Sequence, residues 1–97
     1  MIDWTDAPQF GRTNALKFVL ERLHARRVPG DHPLIVEIGT SYAYNLGGLG
    51  NATLAYAWYA QKYGARFVSI DGWHESIEEA KNVLDKYGTG RDAAVFV

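Results

Sequence analysis

Leu34-Ile-Val-Glu-Ile-Gly39-Thr-Ser41, followed later in the chain by Phe67-Val-Ser-Ile-Asp71-Gly-Trp73, is the part of the sequence that decides the fold. Each segment is a short apolar run that ends in an acidic or glycine-containing turn, as buried strands do. The stretch between them has the composition of a helix, so the order strand, helix, strand indicates a parallel sheet. Ligands of such sheets bind beyond the carboxyl ends of the strands. The two acidic turns therefore predict a cradle for a nucleotide-type cofactor.

One helix is predicted before the first strand and another after it. The earlier one begins at Thr13 or Asn14, which can cap it, and ends near Arg26, because cations suit a helix carboxyl end. Its expected apolar face comprises Ala15, Leu16, Val19, Leu20 and Leu23. The later helix, over 51–63, is apolar almost all round and stops at Gly64.

A third helix is predicted after the second strand. Ser76-Ile-Glu-Glu79 has the spacing of a capping box and opens this helix, and Gly88 ends it. Its expected apolar side comprises Ile77, Ala80, Val83, Leu84 and Tyr87. The tail over 93–97 predicts a third strand, so the expected order is a helix followed by β-α-β-α-β.

The bulk composition indicates one small domain. The chain has 97 residues, of which 47% are apolar, enough for a modest core. A net charge of -1, with charged residues of both signs, argues against an extended nucleic-acid surface or a strongly cationic membrane surface. The absence of cysteine excludes disulfides and thiolate metal sites. The first residues lack the features of a signal peptide, and no apolar stretch has membrane-spanning length. We expect a cytoplasmic protein with no nucleic-acid partner and no membrane partner.

The predicted sheet is incomplete. We divide the single domain into an N-terminal segment and helix over 1–33 and a β-α-β-α-β unit over 34–97. In an open doubly wound sheet the first strand lies in the middle, beside strands of a second half that these residues do not encode. The strand over 34–38 would then be an exposed apolar edge. We expect the N-terminal part of a larger domain, or a chain that self-associates or recruits its missing C-terminal half through that edge.

The polar residues at the strand ends favour a ligand that combines an amino acid with a nucleoside. Glu37 can accept hydrogen bonds from an ammonium group, and Gly39 lets backbone approach a ligand closely. A pyrophosphate would be repelled by that carboxylate. The amides at the start of the next helix, from Asn51 to Leu54, favour an anion such as a carboxylate. Asp71 ends the second strand, where a carboxylate accepts hydrogen bonds from ribose hydroxyls.

On these residues the chain resembles the class I S-adenosylmethionine-dependent methyltransferases. Their first motif is an acidic residue, any residue and a glycine, matched here by Glu37-Ile-Gly39, and their second is the acidic residue that closes strand two, matched by Asp71. Val36-Glu-Ile-Gly-Thr-Ser41 with Gly50-Asn-Ala-Thr-Leu54 is most similar to the small-molecule O-methyltransferase-like branch. The resemblance covers residues 34–97 and implies an α/β fold with an incomplete, three-layer, Rossmann-like parallel sheet.

The same resemblance implies S-adenosylmethionine as the cofactor and a small molecule as the methyl acceptor. It places Glu37 near the methionine amino group, Asp71 on the ribose hydroxyls and Trp73 beside adenine. The implied cofactor-binding residues are Glu37, Gly39, Thr40, Ser41, Gly50, Asn51, Asp71, Gly72 and Trp73. It names no catalytic residue, because the family segments that bind the acceptor and place a base have no counterpart here. No metal ligand is expected, and His24 and His32 are expected to be solvated.

One departure from the family and two alternatives remain. The loop 42–50 is longer than the family's, so which of Gly47, Gly48 and Gly50 contacts the ligand stays open. One alternative is a fragment of a NAD- or FAD-binding oxidoreductase, although the tight G-x-G-x-x-G turn is missing. The other is a non-catalytic, truncated interaction module that recruits a partner through its sheet edge.

Overall fold

The predicted order of helices and strands is confirmed. The computed structural model describes residues 1–10, 13–40 and 51–97, without the side chain of Thr13. Its elements are α1 (Thr13–Arg26), β1 (Leu34–Ile38), α2 (Ala52–Tyr63), β2 (Arg66–Ile70), α3 (His74–Tyr87) and β3 (Ala94–Phe96). The described residues therefore form a small α/β domain with three helices and a three-stranded sheet, which is compatible with a Rossmann-like fold.

The three strands form one parallel sheet in the order β1-β2-β3. In this register Glu37 of β1 lies beside Ser69 of β2. The ladder continues past the strand ends, since the Gly39 amide donates to the Ile70 carbonyl at 2.7 Å. β1 is an edge strand of this sheet, as the sequence predicts.

The helices cover one face of the sheet. α2 contacts α1, α3 and β2, so it occupies the centre of the helical layer. The covered face of the sheet presents Phe67, Ser69 and Ala94, which are all buried. The largest fully buried apolar side chains of the core are Phe10, Leu20, Leu54, Tyr59, Phe67, Val83 and Leu84. The core therefore lies between β2 and the helices, as expected for two packed layers.

The opposite face of the sheet is apolar and exposed. Its outward side chains Leu34, Val36, Ile38, Val95 and Val97 are between 51 and 79% exposed. The described residues thus form two layers, and for them the expected three-layer arrangement is wrong. The reason is topological, because right-handed crossovers between strands added in one direction place their helices on the same face. A helix on the other face requires the strand order to reverse, which happens only in a second half.

The start of α3 differs from the prediction. The helix begins at His74, and its N-cap residue Trp73 makes no side-chain capping bond. Ser76 therefore lies inside the first turn, and the predicted capping box is wrong. The chain turns earlier because the Asp71 carboxylate accepts a hydrogen bond from the Trp73 amide at 2.8 Å. That bond is an Asx-type turn, which supplies the local alternative to a capping box.

The buried stripe of α1 is narrower than expected. Leu16 and Leu20 are buried, whereas Ala15 and Val19 are exposed. Only the side of α1 that meets α2 is covered, so the positions flanking that stripe stay in solvent. On α3 the predicted positions are buried except Tyr87, which is 39% exposed near the helix end.

Candidate functional site

The candidate site lies at the carboxyl ends of β1 and β2. Glu37 is only 8% exposed, and its side chain is on the helical face of the sheet. Its Oε1 atom accepts a hydrogen bond from the Ser69 hydroxyl at 2.7 Å and a second one from the Thr53 hydroxyl of α2. The carboxylate therefore joins both strands to the first turn of α2.

Burial has the largest effect on the pKa of the Glu37 carboxyl. Loss of solvation raises its pKa above the usual value of 4.5, and the hydrogen bonds from Thr53 and Ser69 act in the opposite direction. Within the described part of the chain, no ion pair includes Glu37. A buried carboxylate with hydroxyl donors but no cationic partner is chemically suited to pair with a ligand ammonium.

A chain of hydrogen bonds connects Glu37 to Asp71. The Thr40 and Ser69 hydroxyls lie 2.7 Å apart. Ser69 donates its one hydroxyl proton to Glu37, so the Thr40 hydroxyl must be the donor to Ser69. The Thr40 amide in turn donates to Asp71 Oδ2 at 3.0 Å. The two carboxylates predicted to hold the cofactor are therefore parts of one network.

Asp71 and Trp73 form the outer side of the site. Asp71 is half-buried, and its two oxygens accept from the Thr40 and Trp73 amides. Each carboxylate oxygen has a second lone pair, so Asp71 retains acceptor capacity. Trp73 is 64% exposed and borders a shallow cavity of about 160 Å³, whose lining residues are Trp73, Glu75, Ser76 and Glu79. An exposed indole beside a cavity can stack on a planar ring. Gly72, between these two residues, is exposed.

Gly39 forms the turn between β1 and the following loop. Its φ is +90°, a conformation that other residues rarely adopt. A Cβ atom built at this position would meet no atom of the described residues within 4 Å. Glycine is thus required here by the backbone conformation.

Asn51 caps α2. It is 1% exposed, and its side-chain oxygen accepts from the Leu54 amide at 2.9 Å. The Leu54 amide is therefore already hydrogen-bonded within the protein. The expectation that it binds a ligand carboxylate is wrong for this amide. The cap explains the buried asparagine by itself, since an N-cap side chain satisfies an amide that has no helical partner.

Several predicted positions lie outside the described residues. These are the proposed ligand contacts Ser41 and Gly50 and the alternative glycines Gly47 and Gly48. Of the nine predicted cofactor-binding residues, the structure brings Glu37, Thr40 and Asp71 into one hydrogen-bonded network. Asn51, at the start of α2, has a capping role.

Two polar residues of this network were not predicted from the sequence. Ser69 is 0% exposed and Thr53 is 1% exposed, and both donate to Glu37. A serine within the apolar run of β2 was an available signal, because a buried hydroxyl needs a hydrogen-bond partner. Thr53 carried no comparable signal, since it lies in the first turn of a predicted helix, where a hydroxyl can find local backbone partners.

Two of the three histidines, His24 and His32, lie away from this site. His24 is only partly exposed, and its Nδ1 atom is 3.0 Å from the Tyr59 hydroxyl, so the expectation of a solvated His24 is wrong. His32 is exposed, with Nδ1 2.7 Å from the Gly64 carbonyl. Across residues 1–10, 13–40 and 51–97, no three His, Asp or Glu side chains are grouped as metal ligands would be. Within the same ranges, no helix has the length and apolar character to cross a membrane.

Comparison of the chain with protein-family models, with curated proteins and with solved structures gave no significant match. The site is therefore interpreted from its own geometry and from the sequence motifs.

Proposed function

We propose that this chain is the S-adenosylmethionine-binding portion of a class I methyltransferase that acts on a small-molecule acceptor. One observation carries the proposal. The carboxylates of Glu37 and Asp71 stand at the carboxyl ends of adjacent parallel strands and are connected through Thr40 and Ser69. This is the edge of a parallel sheet at which ligands bind.

Each end of the network suits one part of that cofactor. Both hydrogen bonds described for Glu37 end on Oε1, which leaves Oε2 to accept from the methionine ammonium. Asp71 would accept from the ribose hydroxyls, with Trp73 beside the adenine ring. Thr40 is buried between the two carboxylates, and Gly39, which has no side chain, would let the cofactor approach the backbone.

When bound, S-adenosylmethionine supplies a methyl group that its sulfonium already activates. The described residues would bind this cofactor and orient it. Such positioning accounts for much of the catalysis when a group is transferred between two bound reactants. In the proposed methyltransferase, residues other than those named here would bind the acceptor and supply any general base. Localisation in the cytoplasm and the absence of nucleic-acid and membrane partners remain part of the proposal.

The alternative of a NAD- or FAD-binding oxidoreductase fragment is less compatible with the site. A dinucleotide places its pyrophosphate against the turn after the first strand. The buried Glu37 carboxylate has no cationic partner among the described ion pairs, so a nearby pyrophosphate would add repulsion.

The alternative of a non-catalytic interaction module is favoured by a different observation. β1 is an edge strand, and its outward side chain Ile38 is 79% exposed. An exposed apolar edge invites pairing with another strand. A module of this kind would self-associate or bind its missing C-terminal half, and it would not need the hydroxyl network.

Isothermal titration of the purified chain with S-adenosylhomocysteine, and separately with NAD, tests the proposal. We expect binding of S-adenosylhomocysteine and not of NAD. Asp71→Ala and Glu37→Ala should each weaken this binding by about tenfold, the effect of losing a hydrogen bond to a charged group. Far-ultraviolet circular dichroism of each variant establishes that it is folded.

Glu78→Ala is the matched control. Glu78 is an exposed carboxylate on α3 that lies 3.4 Å from Lys81 and 3.6 Å from His74, apart from the network. Its loss should leave the titration unchanged, and equal effects of all three substitutions would refute the site assignment. A folded wild-type chain that binds neither ligand, and that sediments as an oligomer, would favour the interaction module.

A further inference from the structure

The hydroxyl of Ser69 is the junction between the two halves of the site. It donates to Glu37 at 2.7 Å and accepts from Thr40, also at 2.7 Å. Thr40 then reaches Asp71 through its backbone amide. We propose that Ser69 is a positioning residue that sets the orientation and ionisation of Glu37 for a ligand ammonium; this inference rests on the function proposed above.

The surroundings of Ser69 make its hydroxyl difficult to replace. The residue is 0% exposed, so water does not reach it to take over the hydrogen bond when the hydroxyl is removed. Glu37, at 8% exposed, is almost as well shielded from solvent. In such an environment each donor has a large effect on a carboxylate, because the local dielectric constant is low.

The charge of Glu37 depends on few groups. Burial raises its pKa, and the Thr53 and Ser69 hydroxyls oppose that rise because they donate to the ionised form. Among the described residues, two titratable groups interact with the network: Tyr56 of α2, whose own pKa is raised by burial and by the Glu37 charge, and Asp71 after β2. Neither group is a cation. Within the described part of the chain, ionisation of Glu37 is therefore supported by its hydroxyl donors, and a ligand ammonium would add to that support.

This arrangement determines how loss of the Ser69 hydroxyl should change the protonation of Glu37 and the pH dependence of ligand binding. Removing the Ser69 hydroxyl takes away one donor to the ionised carboxylate, so Glu37 should hold its proton to higher pH. A protonated Glu37 cannot form an ion pair with an ammonium group. Loss of the hydroxyl should therefore shift the pH dependence of ligand binding as well as weaken it, and a purely structural serine would produce only the weakening.

The test is carbon-detected NMR titration of the Glu37 carboxyl in the free chain, for wild type and Ser69→Ala. We expect the midpoint of Ser69→Ala at higher pH. Calorimetry with S-adenosylhomocysteine should show binding about tenfold weaker at pH values below the Glu37 midpoint of the variant, and recovery as the pH rises through that midpoint. Ser76→Ala is the matched control, because Ser76 is also a buried serine but belongs to α3, and it should leave the Glu37 midpoint in place.

An unchanged Glu37 midpoint in folded Ser69→Ala overturns the inference. If that variant does not fold, Thr40→Val replaces it, since Thr40 donates to Ser69 and its loss should move the midpoint in the same direction by less. A midpoint that is unchanged in Thr40→Val then overturns the inference. Failure of wild type to bind S-adenosylhomocysteine overturns the proposed function instead, and the ligand-free titration separates the two results.

Discussion

The backbone amide of Thr40 donates to the carboxylate of Asp71 across 3.0 Å, which joins the turn after β1 to the turn after β2. The same carboxylate accepts from the Trp73 amide and so also sets the start of α3. Asp71 thus organises the candidate site before any ligand is present.

Asp71→Ala should lower the free energy of unfolding by about 1 to 2 kcal/mol, because two amides lose a charged acceptor at a half-buried position. Urea unfolding measures this loss. Asp85→Ala is the control, since the described contact of the Asp85 side chain is an exposed ion pair with Arg91 at 3.6 Å, whose loss should change stability by less than about 0.5 kcal/mol. Equal losses in the two variants would show that the Asp71 bonds contribute nothing specific.

Glu37→Gln should stabilise the free chain at neutral pH while it weakens S-adenosylhomocysteine binding. The folded-state pKa of Glu37 is raised above 4.5, so its contribution to stability is full below that pH and is lost as the pH rises through the folded pKa. Glutamine stays neutral and avoids this loss. Thermal unfolding at neutral pH and at about pH 4 measures the effect, and a gain that is equal at both values would contradict the explanation.

Acidification should destabilise the contact between α1 and α2 at His24. Burial, reinforced by the nearby Arg27 and N-terminal charges, lowers the pKa of His24 below 6.5, against a smaller opposing effect of Glu21. The neutral form is favoured in the fold, so this contribution to stability is present above pH 6.5 and is lost as the pH falls through the folded pKa. His24→Gln should unfold with a smaller dependence on pH between about 5 and 7. Identical pH profiles for wild type and variant would count against this.

Gly90→Ala should destabilise the chain more than Gly88→Ala. Both glycines have positive φ, +77° and +64°, so each alanine suffers backbone strain of about 1 to 2 kcal/mol. At Gly90 a Cβ would also lie 2.5 Å from the Cβ of Ala57, whereas at Gly88 a Cβ would have no atom of the described residues within 4 Å. We expect a total loss of about 3 kcal/mol or more for Gly90→Ala. Urea unfolding compares the free energies of unfolding of the two variants. Similar losses of stability would mean that α2 shifts at Ala57 to make room for the added Cβ.

The two faces of the sheet should respond differently to substitution. Phe67→Ala, at a position that is 1% exposed, should cost about 3 to 5 kcal/mol. Ile38→Thr, at a position that is 79% exposed, should change the free energy of unfolding by less than about 0.5 kcal/mol. Chemical denaturation of the two variants measures both values. A large loss for Ile38→Thr would indicate that its face is covered in solution, and sedimentation would then identify self-association.

Much of the fold could be predicted from local patterns. Gly64 and Gly88 were predicted as helix ends, and both adopt the left-handed conformation that a helix stop uses. The parallel sheet followed from apolar runs alternating with helices, because short crossovers allow few topologies. At the site, the two acidic strand ends were identifiable because a parallel sheet brings the carboxyl ends of its strands to one edge.

The sequence by itself determined the order of the elements and the placement of Glu37 and Asp71, because periodicity, helix stops and strand ends depend on neighbouring residues. Tertiary structure alone decided that all three helices share one face, that Val19 stays exposed, and that Ser69 joins Glu37 to Thr40. These features depend on side chains far apart in the chain. Their contacts arise only when strand register and helix packing bring buried polar groups within hydrogen-bond distance.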